Sequence, residues 1–136
     1  DDFMKVENDN MCFACGEDNP ISLGLDFQLI NENKAEAFFI PEAVHQGYSK
    51  IMHGGLVTTL LDESMAKVLE LNDIIAVTGE INVKFKKPVK VEQELRIVGE
   101  IKNSYHDKLY YTAGKLYNED GEFLASADAK FMKVDI

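Results

Sequence analysis

Two periods organise the apolar positions of this chain. Leu56, Val57, Leu60, Leu61, Met65, Val68 and Leu69 recur at i, i+3 and i+4 spacing, which predicts a helix over roughly residues 56–71 with one broad buried face. On either side the period is two. Leu25, Phe27 and Leu29 alternate with Asp26 and Gln28, Asn31-Glu32-Asn33-Lys34 interrupts, and residues 35–40 resume the alternation, so a hairpin precedes the helix and Pro41 closes it. Residues 42–52 have no clear period and read as a loop leading into the helix. After Asn72 and Asp73, Ile81, Val83 and Phe85 alternate with Asn82, Lys84 and Lys86 along one strand until Pro88. Residues 92–102, 108–118 and 123–134 supply three more strands, with polar links at 103–107 and 118–121. Hairpin-length links require antiparallel pairing. A single apolar helix must then bury its face against that sheet, which does so by curling round it, so the fold class is α+β. Residues 1–24 read as an irregular lead-in that covers an edge, and the whole of 1–136 as one domain.

Composition narrows the partners. Twenty-four acidic residues against fourteen basic ones give a formal charge of −10, which opposes general binding to nucleic acid or to anionic lipid. Hydrophobic residues make up 46% of the chain without any apolar run long enough to span a bilayer. The chain begins Asp-Asp-Phe and lacks the basic-then-apolar layout of a signal peptide, so its start reads as trimmed and a cytoplasmic home is expected. Cys12 and Cys15 are its two cysteines and supply half of a four-ligand zinc site. They read as reduced thiols in a packed turn, with no metal and no cofactor expected.

Candidate chemistry lies where the helix begins. Gly54 and Gly55 let the backbone approach a ligand closely, and the free N–H groups of a first turn point outward with the positive end of the helix dipole, a geometry suited to a developing oxyanion. Asp62 sits two turns further on, among residues that belong in a core. Its neighbours Thr58, Thr59, Met65 and Ala66 offer no cation, so its carboxylate is a candidate base or nucleophile in acyl transfer or hydrolysis. Glu63 precedes Lys67 by four residues and reads as half of a solvated ion pair. His53 reads as a residue that shapes the turn, and His106 as surface. Lys84, Lys86, Lys87 and Lys90 form a dense positive cluster that is either a phosphate-binding patch or an exposed strand kept soluble by lysine.

These residues, in this order, resemble the hotdog-fold acyl-CoA thioesterases of the phenylacetate-pathway-like branch: His53-Gly54-Gly55, Asp62 nine positions after the histidine, and Thr78-Gly79-Glu80-Ile81-Asn82 with Pro88 beyond. Cys12-Phe-Ala-Cys-Gly16, with Asn19-Pro20 and Gly24-Leu25, resembles an N-terminal variant of the same domains. The resemblance implies a curled antiparallel sheet of about six strands around one central helix. It also implies a homodimer or homotetramer with active sites at the subunit interface, and an acyl-CoA substrate. By position, Gly54 would polarise the thioester carbonyl, with Gly55 and His53 beside it, and Asp62 would be the base or nucleophile. Thr78, or Gly79 under the other local alignment, would be the third group. A side-chain amide or histidine upstream of the glycines, here Gln46 or His45, would assist at the substrate site. From the residues themselves, Tyr48 either lines the acyl pocket or packs the loop, and Lys84 and Lys86 are the members of the lysine cluster that would meet the phosphates of coenzyme A. Two other classes stay open: a non-catalytic acyl-CoA-binding domain, and an enoyl-thioester hydratase using His45 with Asp62 or Glu63.

Overall fold

The computed structural model describes residues 5–134, so the first four residues of the lead-in lie outside it. The strands β1 (Gln28–Asn31) and β2 (Lys34–Phe39) form the first hairpin, and β3 (Gln46–Tyr48) and β4 (Ile51–Met52) a small second one. The helix α1 (Gly54–Glu70) follows, then β5 (Ala76–Phe85), β6 (Leu95–Tyr105), β7 (Leu109–Tyr117) and β8 (Phe123–Lys133). Six strands make one antiparallel sheet in the order β1-β2-β6-β7-β8-β5, with β3 and β4 outside it. The sheet is open and curls around α1, which touches β2, β5, β6, β7 and β8 in turn. This is the hotdog fold.

Several boundaries differ from those that periodicity predicts. Leu25 and Phe27 are buried, yet the first strand begins only at Gln28, because the Leu25 N–H donates to the Ala14 carbonyl of the lead-in and not to a sheet neighbour. Residues 42–52 contain a 3₁₀ turn at Ala43–His45 and the β3-β4 hairpin. Short elements of this kind have no room to express a period. The link after β6 shrinks to residues 106–108, with His106 and Asp107 both at positive φ, the backbone that lets a tight turn match the twist of its strands. The helix starts two residues earlier than expected, with both glycines inside its first turn.

The core is set by how closely α1 approaches the sheet. Leu60, Leu61, Met65, Val68 and Leu69 are fully buried on its inner face, against Leu95, Ile97, Leu116 and Phe131. At the centre of this contact Gly99 of β6 and Gly114 of β7 are cross-strand partners, and Ser64 of the helix lies over both. A Cβ on Gly99 would fall 2.0 Å from the Ser64 carbonyl oxygen, and one on Gly114 would fall 3.0 Å from Ser64 Oγ. Ser64 Oγ donates back to Leu61 O at 2.6 Å, which satisfies a hydroxyl that is wholly buried. Helix backbone therefore rests directly on strand backbone.

Gly99→Ala is expected to destabilise the protein by at least about 3 kcal/mol, because the obstacle is a main-chain carbonyl that cannot swing aside. Gly114→Ala should cost less, since the Ser64 hydroxyl can rotate. Equal denaturant midpoints for the two variants would contradict this account of the contact.

Candidate active site

The beginning of α1 is built by His53. Its Nδ1 accepts the Gly55 N–H at 2.9 Å, which caps the helix and leaves the ring proton on Nε2. The Leu56 and Val57 N–H groups both donate to the His53 carbonyl. Among the described residues these bonds leave the Gly54 N–H without an acceptor, at the positive end of a seventeen-residue helix. The two glycines are therefore not equivalent: Gly55 is occupied by its cap, and Gly54 is free to donate.

Asp62 lies on the flank of α1 that faces β5, where the Thr78 hydroxyl donates to its Oδ1 at 2.6 Å. A β-bulge makes this contact possible. Thr78 pairs with Phe131 and Glu80 with Lys130, so Gly79 is an extra residue in β5. It puts Thr78 on the helix-facing side together with Ile81 and Val83; without it, Thr78 would share the opposite face with Glu80 and Asn82. Glycine suits the place, because a Cβ there would meet Met132 Sδ at 3.3 Å. Thr78 is thus the residue that reaches Asp62, and Gly79 is what aims it.

A cleft of about 790 Å³ opens at the helix start and includes Gly54, His53, Tyr48, Phe85, Lys86 and Lys87 in its wall. Neither Asp62 nor Thr78 lines it, and Lys84 does not either. Tyr48 stands 86% exposed at its mouth. His45 and Gln46 hold the preceding loop: His45 Nδ1 accepts from Glu42 N–H at 2.8 Å while its ring packs edge-on to Phe39, and Gln46 Oε1 accepts from Lys50 N–H at 2.8 Å. The His45 carbonyl in turn accepts the His53 N–H. Their contacts are local, and they fix the entry to the helix. Phe85 was not singled out in the sequence, although its alternation with Ile81 and Val83 placed it on the inner face of β5. It lies within ordinary contact distance of a Cβ built on Gly54 and is 54% exposed.

Glu63 overturns the expected solvated pair. Its side chain is only 9% exposed, and Lys67 pairs with Glu70 at 2.9 Å. Glu63 turns instead toward the lead-in and the Cys15 thiol. Burial raises its carboxyl above the usual range, and burial, followed by the neighbouring Glu63, pushes the Cys15 thiol up to about 12.

Residues 49–124 match the sequence model of the thioesterase superfamily, a stretch that runs from the loop before α1 to the start of β8. The chain belongs to the thioesterase superfamily. No curated protein matches its sequence. Among solved structures it is similar to the thioesterase superfamily protein RHA08564 (TM-score 0.84, 17% identity), with 90% of this chain covered and 60% of the length of that one. It is also similar to Escherichia coli PaaI, from the phenylacetic acid degradation operon (TM-score 0.76, 18% identity, 82% of this chain and 80% of that one). Streptococcus mutans smu.793, solved bound to acetyl CoA, superposes with TM-score 0.75 at 18% identity over 82% of this chain and 89% of that one.

Within this thioesterase-superfamily chain the polar residues fall into two groups. Asp62 and Thr78 meet between α1 and β5, whereas His53, Gly54, Tyr48 and Lys86 surround the cleft at the helix start. Eight residues of helix separate them, a backbone distance of about 12 Å along the axis and more than an aspartate side chain spans. The cleft at the helix start therefore borders Gly54 and not Asp62.

The cap is testable without substrate. His53→Ala should lower stability by about 1 kcal/mol, and His53→Asn, which keeps an acceptor at the cap, should restore most of it in thermal unfolding. Equal melting of the two variants would show that the histidine does not hold the helix start.

Proposed function

We propose that this protein hydrolyses acyl-CoA thioesters, with Asp62 as general base or nucleophile and the Gly54 N–H as oxyanion donor. The observation that carries the reading is the 2.6 Å hydrogen bond from Thr78 to Asp62, which orients one carboxylate at the inner face of an edge strand. Membership of the thioesterase superfamily supports the reaction class, and the acetyl CoA bound to smu.793 supports the substrate class. Lys86 in the cleft wall supplies positive charge for phosphates on a chain of net charge −10, whereas Lys87 beside it is paired with Glu122. An oxyanion donor is worth roughly 3 kcal/mol and a placed base about a hundred-fold in rate, so the two act together.

In this reading a second copy bridges the separation of Gly54 from Asp62. β5 is a sheet edge ten residues long, and its outer N–H and C=O groups have no strand beside them among the described residues. Pairing β5 with its counterpart about a two-fold axis extends the sheet and brings the helix start of one copy toward the Asp62 flank of the other. Each of the two sites then uses Gly54 from one chain and Asp62 from its partner. The resulting homodimer, or a tetramer of two such dimers, would work in the cytoplasm, where thiols such as Cys12 and Cys15 stay reduced.

The shared site predicts complementation. Gly54→Pro removes the donor without evicting the helix, because proline is favoured at the first helical position and His53 already has the extended backbone (φ −58°, ψ 130°) that precedes proline. Gly54→Pro and Asp62→Asn should each lose about a hundred-fold or more in thiol release from acyl-CoA. Unfolded together and refolded as a mixture, they should recover about a quarter of wild-type activity, since half of the dimers are mixed and each carries one intact site. No recovery from folded, mixed dimers would place both groups in one chain's site and refute the shared arrangement.

A further inference from the structure

The thioesterase reading leaves Glu63 unused, although its position in the molecule is unusual. It is a carboxylate nine-tenths buried in the middle of the central helix, and its Oε2 has no hydrogen-bond partner among the described residues. An orphaned buried oxygen is costly, so something should answer it. The Sγ atoms of Cys12 and Cys15 and a carboxylate oxygen of Glu63 lie within 4.8 Å of one another. We infer that these three side chains bind a divalent cation of the zinc class, with two thiolates and one carboxylate as ligands and a water in the fourth position.

The loop that carries the cysteines has the form such a site requires. Two residues separate Cys12 from Cys15, and the turn is closed by the Gly16 N–H donating to Cys12 O at 2.7 Å. Gly16 admits no side chain, since a Cβ would fall 2.4 Å from Cys12 N and 2.5 Å from Asn10 O. The loop is further held by bonds from Asp18 N–H to Asn10 O and from Leu25 N–H to Ala14 O, so both sulfurs are presented on one side of a tight, fixed turn. A tetrahedral ion with zinc–sulfur bonds of about 2.3 Å needs its donors roughly 3.8 Å apart. The exposed Cys12 can close the remaining gap by rotating its side chain.

Ligand chemistry selects the ion. Paired thiolates favour zinc over calcium or magnesium, and a single carboxylate oxygen completes a three-ligand set with an open position. Two thiolates and a carboxylate around a divalent ion carry one net negative charge, and Lys67, one helical turn beyond Glu63, supplies a nearby positive one. A second cleft, lined in part by Cys15, Lys67 and Glu70, gives solvent and metal a way in. The bound ion would tie the lead-in to α1 at the residue next to Asp62. Binding energy of this kind is folding energy, so the ion would stabilise the lead-in.

Cobalt(II), a spectroscopic substitute for zinc, tests the inference on the reduced, untagged full chain. The expected result is one tightly bound equivalent per chain with the intense visible bands of a tetrahedral site and thiolate-to-cobalt charge transfer, all displaced by zinc. Cys12→Ser should abolish the bands, and Glu63→Gln should weaken binding by about ten-fold or more. Circular dichroism would confirm that each variant is folded, and the exposed Cys12 is the safer substitution. Three results would overturn the inference: no cobalt binding by folded wild type with both thiols reduced, binding unchanged in Glu63→Gln, or a Cys12–Cys15 disulfide as the resting form that excludes metal.

Discussion

The structure depends on one close approach. Where Ser64 lies over the paired Gly99 and Gly114, helix backbone meets sheet backbone directly at Gly99 and through only the Ser64 hydroxyl at Gly114. That contact fixes the depth and rotation of α1 inside the curl of the sheet, and side chains elsewhere fill the space it leaves. A helix of 3.6 residues per turn leaves little freedom once one residue is pinned. With Ser64 against the strands, Asp62 must face β5 and Glu63 must face the lead-in. Three consecutive residues thus meet three different parts of the fold: a sheet centre, an edge strand and a cysteine-bearing loop.

This constraint also sets the two groups of polar residues apart. The helix start, with its cap at His53 and its free Gly54 N–H, is held by the β3-β4 hairpin and the loop behind it. Asp62 is held by Thr78 across the bulge at Gly79. Both lie along the flank of the helix nearest β5, and β5 ends the sheet. Among the described residues β5 has no strand beside its outer edge, which is where the proposed symmetric partner would join.

Much of this was legible in the sequence. The helix, the four strands after it and the antiparallel sheet follow from period 3.6 giving way to period 2, and His53, Gly54 and Asp62 stand out as residue types out of place in an ordinary amphipathic helix. Other features depend on contacts that no local rule reports. Glu63 and Lys67 satisfy the i, i+4 rule for an exposed pair, but the rule does not see a loop some fifty residues earlier that covers the glutamate. Thr78 lies on the helix side only because Gly79 adds a residue to β5, and alternation counted from Ile81 would place it on the other face. Leu25 and Phe27 alternate as a strand does, yet they plug the core from outside the sheet. Periodicity reveals which side chains are buried, and only the assembled fold shows against what.

The central claim is that a carboxylate on the buried helix performs thioester hydrolysis. Its most direct test is thiol release from a panel of short, medium, long and aryl acyl-CoAs by the folded, oligomeric wild-type protein. Catalytic release that depends on the identity of the acyl group is the predicted result. Binding of the same acyl-CoAs with no thiol released from any of them would contradict the claim and identify the fold here as a binding domain.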